Sequence, residues 1–402
     1  MRVLFLAGAC PYPPNSGGAV RTYNLLKRLC ERHEITLVAP CSQNIDLAKA
    51  FDERLKHVTA IDSPRRSALQ SLTSLLSPLP YIVKAHENSV MATAVAQLLS
   101  EGMFDLLHCD SISVVQAIPG DSTIPTVFNA HNVEAQIWER YVREERRPWM
   151  IPLLRTQLRK VARYEQSCLP RFGWCAAVSE EDRIQIRRRY GVENVSVVAN
   201  GVDLDHYQQT PDPGTLNVAF IGSLDWRPNQ DAVRWFLEST WPLVLEDMPA
   251  ATLSVVGRRP PKWIRRVCER PHVLLHADVP DVREYLARAG VIVVPLRIGG
   301  GSRLKILEAM AAGKCVVSTT IGAEGLEARD GEHIAIADEP ADLAHQIVSL
   351  LRDSARRQGI AKAGRSLVER RYGWECIVPQ METAWNCALR NQDLYTSRGN
   401  PR

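Results

Sequence analysis

Residues 291–318, VIVVPLRIGGGSRLKILEAMAAGKCVVS, read as strand, glycine-rich loop, helix and strand. Val291 to Leu296 is a short apolar run rich in β-branched side chains, the pattern of a parallel strand buried on both faces. Gly299, Gly300 and Gly301 follow, with no side chain to keep ligand atoms from the backbone. Ser302 is a suitable N-cap. Residues 303–312 carry an apolar stripe among strong helix formers, and Gly313 is placed to end the helix. The first N–H groups of a helix have no partner inside it, so a helix start behind such a loop is an anion site. Arg303 and Lys305 fall in the first turn, where the helix dipole disfavours cations by roughly 0.3–1 kcal/mol each. A bound phosphate or diphosphate reverses that sign; two solvated basic side chains are the plain alternative. Glu308 shares a face with Lys305, able to pair with it or to accept hydrogen bonds from ribose hydroxyls.

Outward from this stretch, the first half of the chain alternates apolar strands with helices. Strands are expected at 3–7, 35–38, 57–61, 106–109, 126–129, 175–178 and 196–198, and helices at 19–31, 89–99, 134–145, 152–169 and 180–190. Such a βαβ rhythm predicts a doubly wound parallel sheet. It breaks at residues 203–216, DLDHYQQTPDPGTL, whose prolines, glycine and polar residues mark a linker. The alternation resumes at 217–221 and continues past 344–351. The chain therefore reads as α/β, with a Rossmann-like domain over 1–205, a linker over 206–216 and a second Rossmann-like domain over 217–373. A terminal helix is expected within 374–402. Open sheets of this kind bind ligands outside the carboxyl ends of their strands.

Other candidates stand at such ends. In CPYPPNSGGAVR, residues 10–21, the prolines and Asn15 force a loop, and Gly17 and Gly18 precede a helix starting near Ala19. An isolated glycine pair is equally a tight turn. His131 follows an apolar strand in TVFNAHNVEA, residues 126–135, flanked by Asn132 and by Glu134, which suits the positive end of a helix. In NVAFIGSLDWRPNQDAV, residues 217–233, Gly222 closes a strand, Arg227 follows, and Asn229 is placed to cap the next helix. Asp203-Leu204-Asp205 matches a D-x-D, but it lies in the linker and is rejected as a metal site. Asp278 and Asp281 read as turn and cap residues.

The segment Glu308-Ala309-Met310-Ala311-Ala312-Gly313 followed by Cys315-Val316-Val317 resembles the donor-binding signature of the family 4 retaining glycosyltransferases. Their GT-B fold sets two Rossmann-like domains facing across a cleft, with a C-terminal helix returning to the first. The resemblance implies that Glu308 binds the nucleotide ribose. The partner glutamate of that signature, which in the family contacts sugar hydroxyls, falls on Gly300. Arg303, Leu304 and Lys305 fit a GTRLK variant, so Gly300, Gly301, Ser302, Arg303, Leu304 and Lys305 are expected at the donor diphosphate. The family places a Gly-Gly loop against the donor, here Gly17 and Gly18, and a His at the position of His131 that reaches the donor sugar. An Arg and a Lys commonly follow the position of Gly222; this chain has Ser223 and, nearby, Arg227, so the cationic duty passes to Arg227, Arg303 and Lys305. The implied activity is transfer of a sugar from a nucleotide-diphosphate sugar to a glycan or lipid-linked acceptor, with retention, without metal or cofactor. Acceptor choice is expected in first-domain loops, notably Ser63 to His86.

Composition bounds the rest. A length of 402 residues suits two or three domains. A net charge of +4 is too small to point to nucleic acid. The ten cysteines show neither C-x-x-C nor zinc spacing, so reduced thiols in a cytoplasmic protein are expected. RVLFLAG at the start reads as a strand rather than a signal core, and no apolar run approaches the ~20 residues of a membrane span. From Arg143 to Arg171, basic residues including Arg155, Arg159 and Arg163 interleave with Trp149, Met150 and leucines. That pattern is either a solvated helix face over a core stripe or a contact for anionic lipid headgroups, which would make the protein peripheral at the inner membrane face. A nucleotide-sugar epimerase and a non-catalytic sugar-nucleotide-binding subunit are the rival readings. A nicotinamide dehydrogenase is disfavoured because no G-x-G-x-x-G follows a strand.

Overall fold

The apolar runs pair into two parallel sheets. In the first, β1 (Arg2–Leu6), β2 (Glu34–Pro40), β3 (His57–Ile61), β4 (Leu106–Cys109), β5 (Thr126–Ala130), β6 (Trp174–Ala177) and β7 (Val195–Val197) lie in the order β3-β2-β1-β4-β5-β6-β7. In the second, β8 (Asn217–Ile221), β9 (Thr252–Gly257), β10 (Val273–Ala277), β11 (Val291–Val294), β12 (Val316–Ser318) and β13 (Ala335–Ile336) lie in the order β10-β9-β8-β11-β12-β13. The computed structural model describes residues 1–42, 45–62, 77–102, 104–120, 122–301 and 303–397. Ser302 and residues 63–76 of the expected acceptor segment lie outside them. Each sheet reverses its strand order once, between β1 and β4 and between β8 and β11. At such a switch point the loops leaving the two central strands diverge and open a crevice. The loops leaving those strands are Gly8 to Ser16 after β1, Asp110 after β4, Gly222 after β8 and the triple glycine after β11, while the candidate His131 follows β5.

The chain forms two compact units, residues 1–199 with 377–402, and residues 200–376. In the first, the helix Gly17–Leu29 begins two residues ahead of the expected Ala19, because the Ser16 side chain accepts from the Ala19 N–H at 3.4 Å. Ser179 likewise caps Glu180–Tyr190, and Gly191, at φ 66°, ends it. The last helix, Trp374–Ser397, contributes to this unit from Ile377 onward. Its Trp385 is fully buried and donates its indole N–H to His108 Nδ1 at 3.0 Å, while Glu382 receives Arg32 and His33 at 3.1 and 2.9 Å.

Two expectations are corrected. The unit boundary falls between Ala199 and Asn200, so residues 200–216 group with the second unit instead of standing apart as a linker. The polar composition that suggested a linker serves as anchorage: Asp212 pairs with Arg357 at 2.6 Å, Lys314 donates to Pro211 O at 3.1 Å, and Thr210 N donates to Ala312 O at 3.1 Å. The expected full set of reduced thiols is also overturned, since Cys10 and Cys41 form a disulfide with 4.9 Å between their Cα atoms. Neighbouring strands β1 and β2 run in parallel register, which brings the residues just beyond their ends together.

Candidate active site

In the second unit, the helix behind the triple glycine runs from Leu304 to Ala311 and has Arg303 at its N-cap position. Gly313, at φ 71°, ends it as expected: its N–H donates to Met310 O and that of Lys314 to Ala309 O. Lys305 points back toward β8. Its ammonium donates to Asn229 Oδ1 at 2.6 Å and stands 4.7 Å from the Phe220 ring centre. Gly222 is required there by close approach, because an added Cβ would lie 2.7 Å from Lys305 Nζ and 2.9 Å from Asn229 Nδ2. Burial, reinforced by the Arg303 charge, pulls the Lys305 ammonium down to about 7; Glu308 opposes that shift. A lysine so placed has a neutral hydrogen-bond partner and gains strongly from an anion.

Asn229 is a correction. The N-cap of the Arg227–Trp235 helix is Trp226, and Asn229 lies buried inside the first turn. Its amide donates to Ser223 O at 2.8 Å while its oxygen holds Lys305. Arg227 opens that helix. Arg303 holds the glycine loop. Its buried guanidinium donates to Gly300 O, to Gly301 O at 2.6 Å and to Ile321 O at 3.2 Å, with Glu324 at 3.8 Å. It shapes the glycine loop from within, and the diphosphate role expected of it has no support in this geometry. Glu308 and Lys305 do share a face. Burial raises the Glu308 carboxyl, with the nearby Tyr207 and the charge of Lys305 acting against it.

The first unit holds a separate cavity of about 260 Å³, lined among others by Gly18, Thr22, Asp110, His131, Glu134 and Glu165. Gly18 faces the His131 ring, since an added Cβ would stand 3.9 Å from its Cε1 and Nδ1. His131 Nε2 lies 3.2 Å from Asp110 Oδ1. Asp110 also accepts from Thr22 at 2.5 Å and Asn129 at 2.6 Å. Beneath them the fully buried Arg21 donates to Asn129 Oδ1 at 3.0 Å, Val198 O at 2.8 Å and Ala199 O at 2.6 Å. His108 accepts the Trp385 indole at Nδ1, so its remaining proton sits on Nε2, which is 3.7 Å from Asp110. Burial alone would raise the Asp110 carboxyl; His131 and His108 outweigh it and hold the group well below the usual carboxylate range. Burial lowers His108, and lowers Arg21 to about 10 against the Asp110 charge.

Glu134 takes a different part from the dipole partner expected of it. The helix it opens is capped by Glu165, whose carboxylate accepts from Glu134 N at 2.8 Å and Ala135 N at 3.0 Å, and from the Tyr190 hydroxyl at 2.6 Å. The Glu134 side chain lines the cavity instead, and burial together with Glu165 raises its carboxyl to about 7. In the basic stretch, Arg155, Arg159 and Arg163 are exposed along one face of the Ile151–Cys168 helix, and Trp149 is 73% exposed. Asp203 Oδ1 accepts from Asp205 N and His206 N at 3.1 and 2.9 Å, a turn role, and Asp281 caps Arg283 N at 2.9 Å.

Sequence reading missed Arg21, His108, Asp110 and Glu165. A charged residue at the carboxyl end of β4 and an arginine on the apolar face of the first helix were available signals for Asp110 and Arg21.

The chain matches two families, "Glycosyltransferase Family 4" over residues 15–206 and "Glycosyl transferases group 1" over residues 215–353. A phosphatidyl-myo-inositol mannosyltransferase of Mycobacterium leprae is 24% identical over 394 residues, covering 92% of this chain and 94% of the relative. Sucrose-phosphate synthase of Thermosynechococcus elongatus superposes with a TM-score of 0.75 at 14% identity, covering 99% of this chain and 100% of that one. The Anabaena protein HepE, solved with UDP and glucose, superposes with a TM-score of 0.66 at 16% identity, covering 96% and 99%.

Proposed function

The chain belongs to the group 1 and family 4 type of glycosyltransferases with the GT-B fold, and from that premise we propose that it moves a sugar from a nucleotide-diphosphate sugar to a glycan or lipid-linked acceptor, with retention, in polysaccharide or glycolipid assembly. The observation that carries the donor half of this reading is Lys305. It is held by neutral Asn229 against Gly222, at the switch point of its sheet and in the first turn of the helix behind the glycine loop.

When the bond from the anomeric carbon to the diphosphate breaks, negative charge grows on the leaving oxygens. Lys305, Arg227 and the first N–H groups of the Leu304–Ala311 helix meet that charge without a divalent ion, in a preorganised and partly desolvated setting. Glu308 accepts the ribose hydroxyls. His131, oriented by Asp110, positions the sugar, and the acceptor hydroxyl attacks from the face that the diphosphate leaves. UDP in the HepE structure supports the nucleotide-diphosphate class, and the mycobacterial relative's lipid-borne inositol supports the acceptor class. The exposed arginine face of the Ile151–Cys168 helix supports contact with anionic headgroups, and among the described residues no helix is long and apolar enough to cross a membrane. Replacing Arg155, Arg159 and Arg163 together by Gln is expected to abolish binding to phosphatidylglycerol-containing vesicles; undiminished binding refutes the membrane contact.

The donor reading is tested by thermal shift with UDP, GDP and ADP and their sugar conjugates. One base is expected to raise the melting temperature of the wild type and not that of Glu308→Ala, because a ligand bound to the native state stabilises it by mass action. A wild type indifferent to all of them refutes the reading.

A further inference from the structure

We infer that Arg258 is a further diphosphate-binding residue: its guanidinium, held along the Gly222–Ser223 turn, meets the same anion as Lys305. The inference rests on the nucleotide-sugar reading of the second unit and adds to it a cation supplied by the chain leaving β9.

Arg258 is the first residue beyond β9, which neighbours β8 on the side away from β11. The exits of β8 and β9 are fastened together. Gly222 N donates to Val256 O and Leu224 N to Arg258 O, both at 3.0 Å. Gly257 is required by that approach, since an added Cβ would collide with Gly222 O. The Arg258 side chain then lies against the turn, and its Nε donates to Ser223 Oγ at 2.5 Å. From the β11 side, Lys305 donates to Asn229 Oδ1 at 2.6 Å, and the Asn229 amide donates to Ser223 O at 2.8 Å. Two cations therefore converge on Gly222 and Ser223, one from the chain after β9 and one from the helix after β11.

The groups that join these cations, a hydroxyl and a carboxamide, are neutral. The Ser223 hydroxyl donates onward to Asp225 at 2.9 Å, and the other oxygen of that carboxylate lies 3.5 Å from Arg259. Arg259 itself turns away: it is exposed, its φ is 48°, and its N–H donates to Asp278 at 2.6 Å. Arg258 is half-buried, and its two terminal nitrogens donate to no protein acceptor among the described residues. A guanidinium fixed through Nε keeps those nitrogens as a planar fork, the geometry that suits phosphate oxygens. Two partly desolvated cations with only neutral groups between them repel one another, and an anion laid over the turn relieves that repulsion. A diphosphate carries charge on both phosphates, and Gly222 has no side chain to hold it off.

The experiment titrates the best-bound of UDP, GDP and ADP into wild type, Arg258→Gln and Arg258→Lys by calorimetry. Arg258→Gln is expected to bind about tenfold more weakly, the range for a charge-assisted hydrogen bond. Arg258→Lys keeps the charge without the fork and is expected to lose about threefold. Raising the salt from about 0.05 M to about 0.5 M should narrow the gap between wild type and Arg258→Gln, because salt screens a charge and leaves packing untouched. If Arg258→Gln melts below the assay temperature, Arg258→Met, which keeps the packing of the aliphatic stem, takes its place. A merely structural arginine would leave the lysine variant as weak as the neutral one, with a gap that salt does not move. That result overturns this inference alone, as does a neutral variant that binds as tightly as wild type. A wild type that binds no nucleoside diphosphate overturns the donor reading and this inference with it.

Discussion

The two switch-point sites handle charge in opposite ways. In the first unit the buried Asp110 charge is met by donors and cationic groups: it accepts from Thr22 and Asn129, faces His131 and His108, and feels the Arg21 charge. Such a set holds the Asp110 carboxylate in place and sets it 3.2 Å from the His131 ring. In the second unit the Lys305 ammonium rests on an amide oxygen and an aromatic ring, and burial has pulled its proton affinity down to about 7. A partly buried cation in that state is favoured by the arrival of an anion. The difference teaches that the two proposed tasks, anion binding and sugar positioning, fall on sites of opposite character, one open to a further negative charge and the other already balanced.

The sharpest way to break that comparison is to remove one member of each site. Lys305→Ala is expected to weaken binding of the best nucleoside diphosphate about 10²-fold, through loss of charge-assisted hydrogen bonds. His131→Ala should leave that affinity within about twofold and slow nucleoside diphosphate release from the matching sugar conjugate about 10²-fold, the cost of a misplaced reacting group. Titration calorimetry and a coupled release assay check both. Equal binding losses in the two variants would mean that the division of labour is wrong.

A subtler contrast is in pH. The protonated ammonium is the form that binds a diphosphate, and its free value is about 7, so affinity should fall by up to about tenfold per unit between pH 7 and 9. Binding at pH 8 should take up a proton, seen as a buffer-dependent heat. Lys305→Arg should show a flat profile over the same range, because a guanidinium stays charged. A wild-type profile as flat as the arginine variant's would place the ammonium in water.

The smallest expected effect lies at Glu134. Its carboxyl is raised to about 7 in the fold, so the stability it contributes is complete below the unfolded value of 4.5 and is lost as pH rises through 7. Glu134→Gln should therefore match wild type near pH 4 and exceed it at pH 8, by about 1 kcal/mol once partial exposure is discounted. Melting curves at the two pH values decide it, and a variant less stable than wild type at pH 8 would show the carboxylate to be welcome there.

Much of this was legible in the sequence. The strand at 57–61 and the helix at 180–190 fall where their apolar periods and caps put them, and Gly313 ends its helix in the left-handed conformation. Local patterns suffice for such features because the forces are local. Lys305 and Glu308 were placed on one face by helical spacing alone. The misreadings all involve partners brought in by the fold. Asn229 looked like a cap because caps are what asparagines near helix starts usually do; its bond to Lys305 exists only because β8 and β11 are neighbours. The hold of Arg303 on the carbonyls of the glycine loop was likewise invisible in the local pattern. The segment anchored through Thr210, Pro211 and Asp212 was read as linker because proline and polar residues look alike whether they are solvated or bolted down.

The last helix adds a matter of timing. His108 is completed by the Trp385 indole, and Arg32 and His33 by Glu382, so the first unit takes its closing pieces from the end of the chain. During synthesis the whole second unit leaves the ribosome before those pieces exist, and domains otherwise tend to fold in the order they emerge. The half made first is therefore the half finished last, and a nascent chain stopped anywhere before Trp385 carries a His108 ring still waiting for its partner.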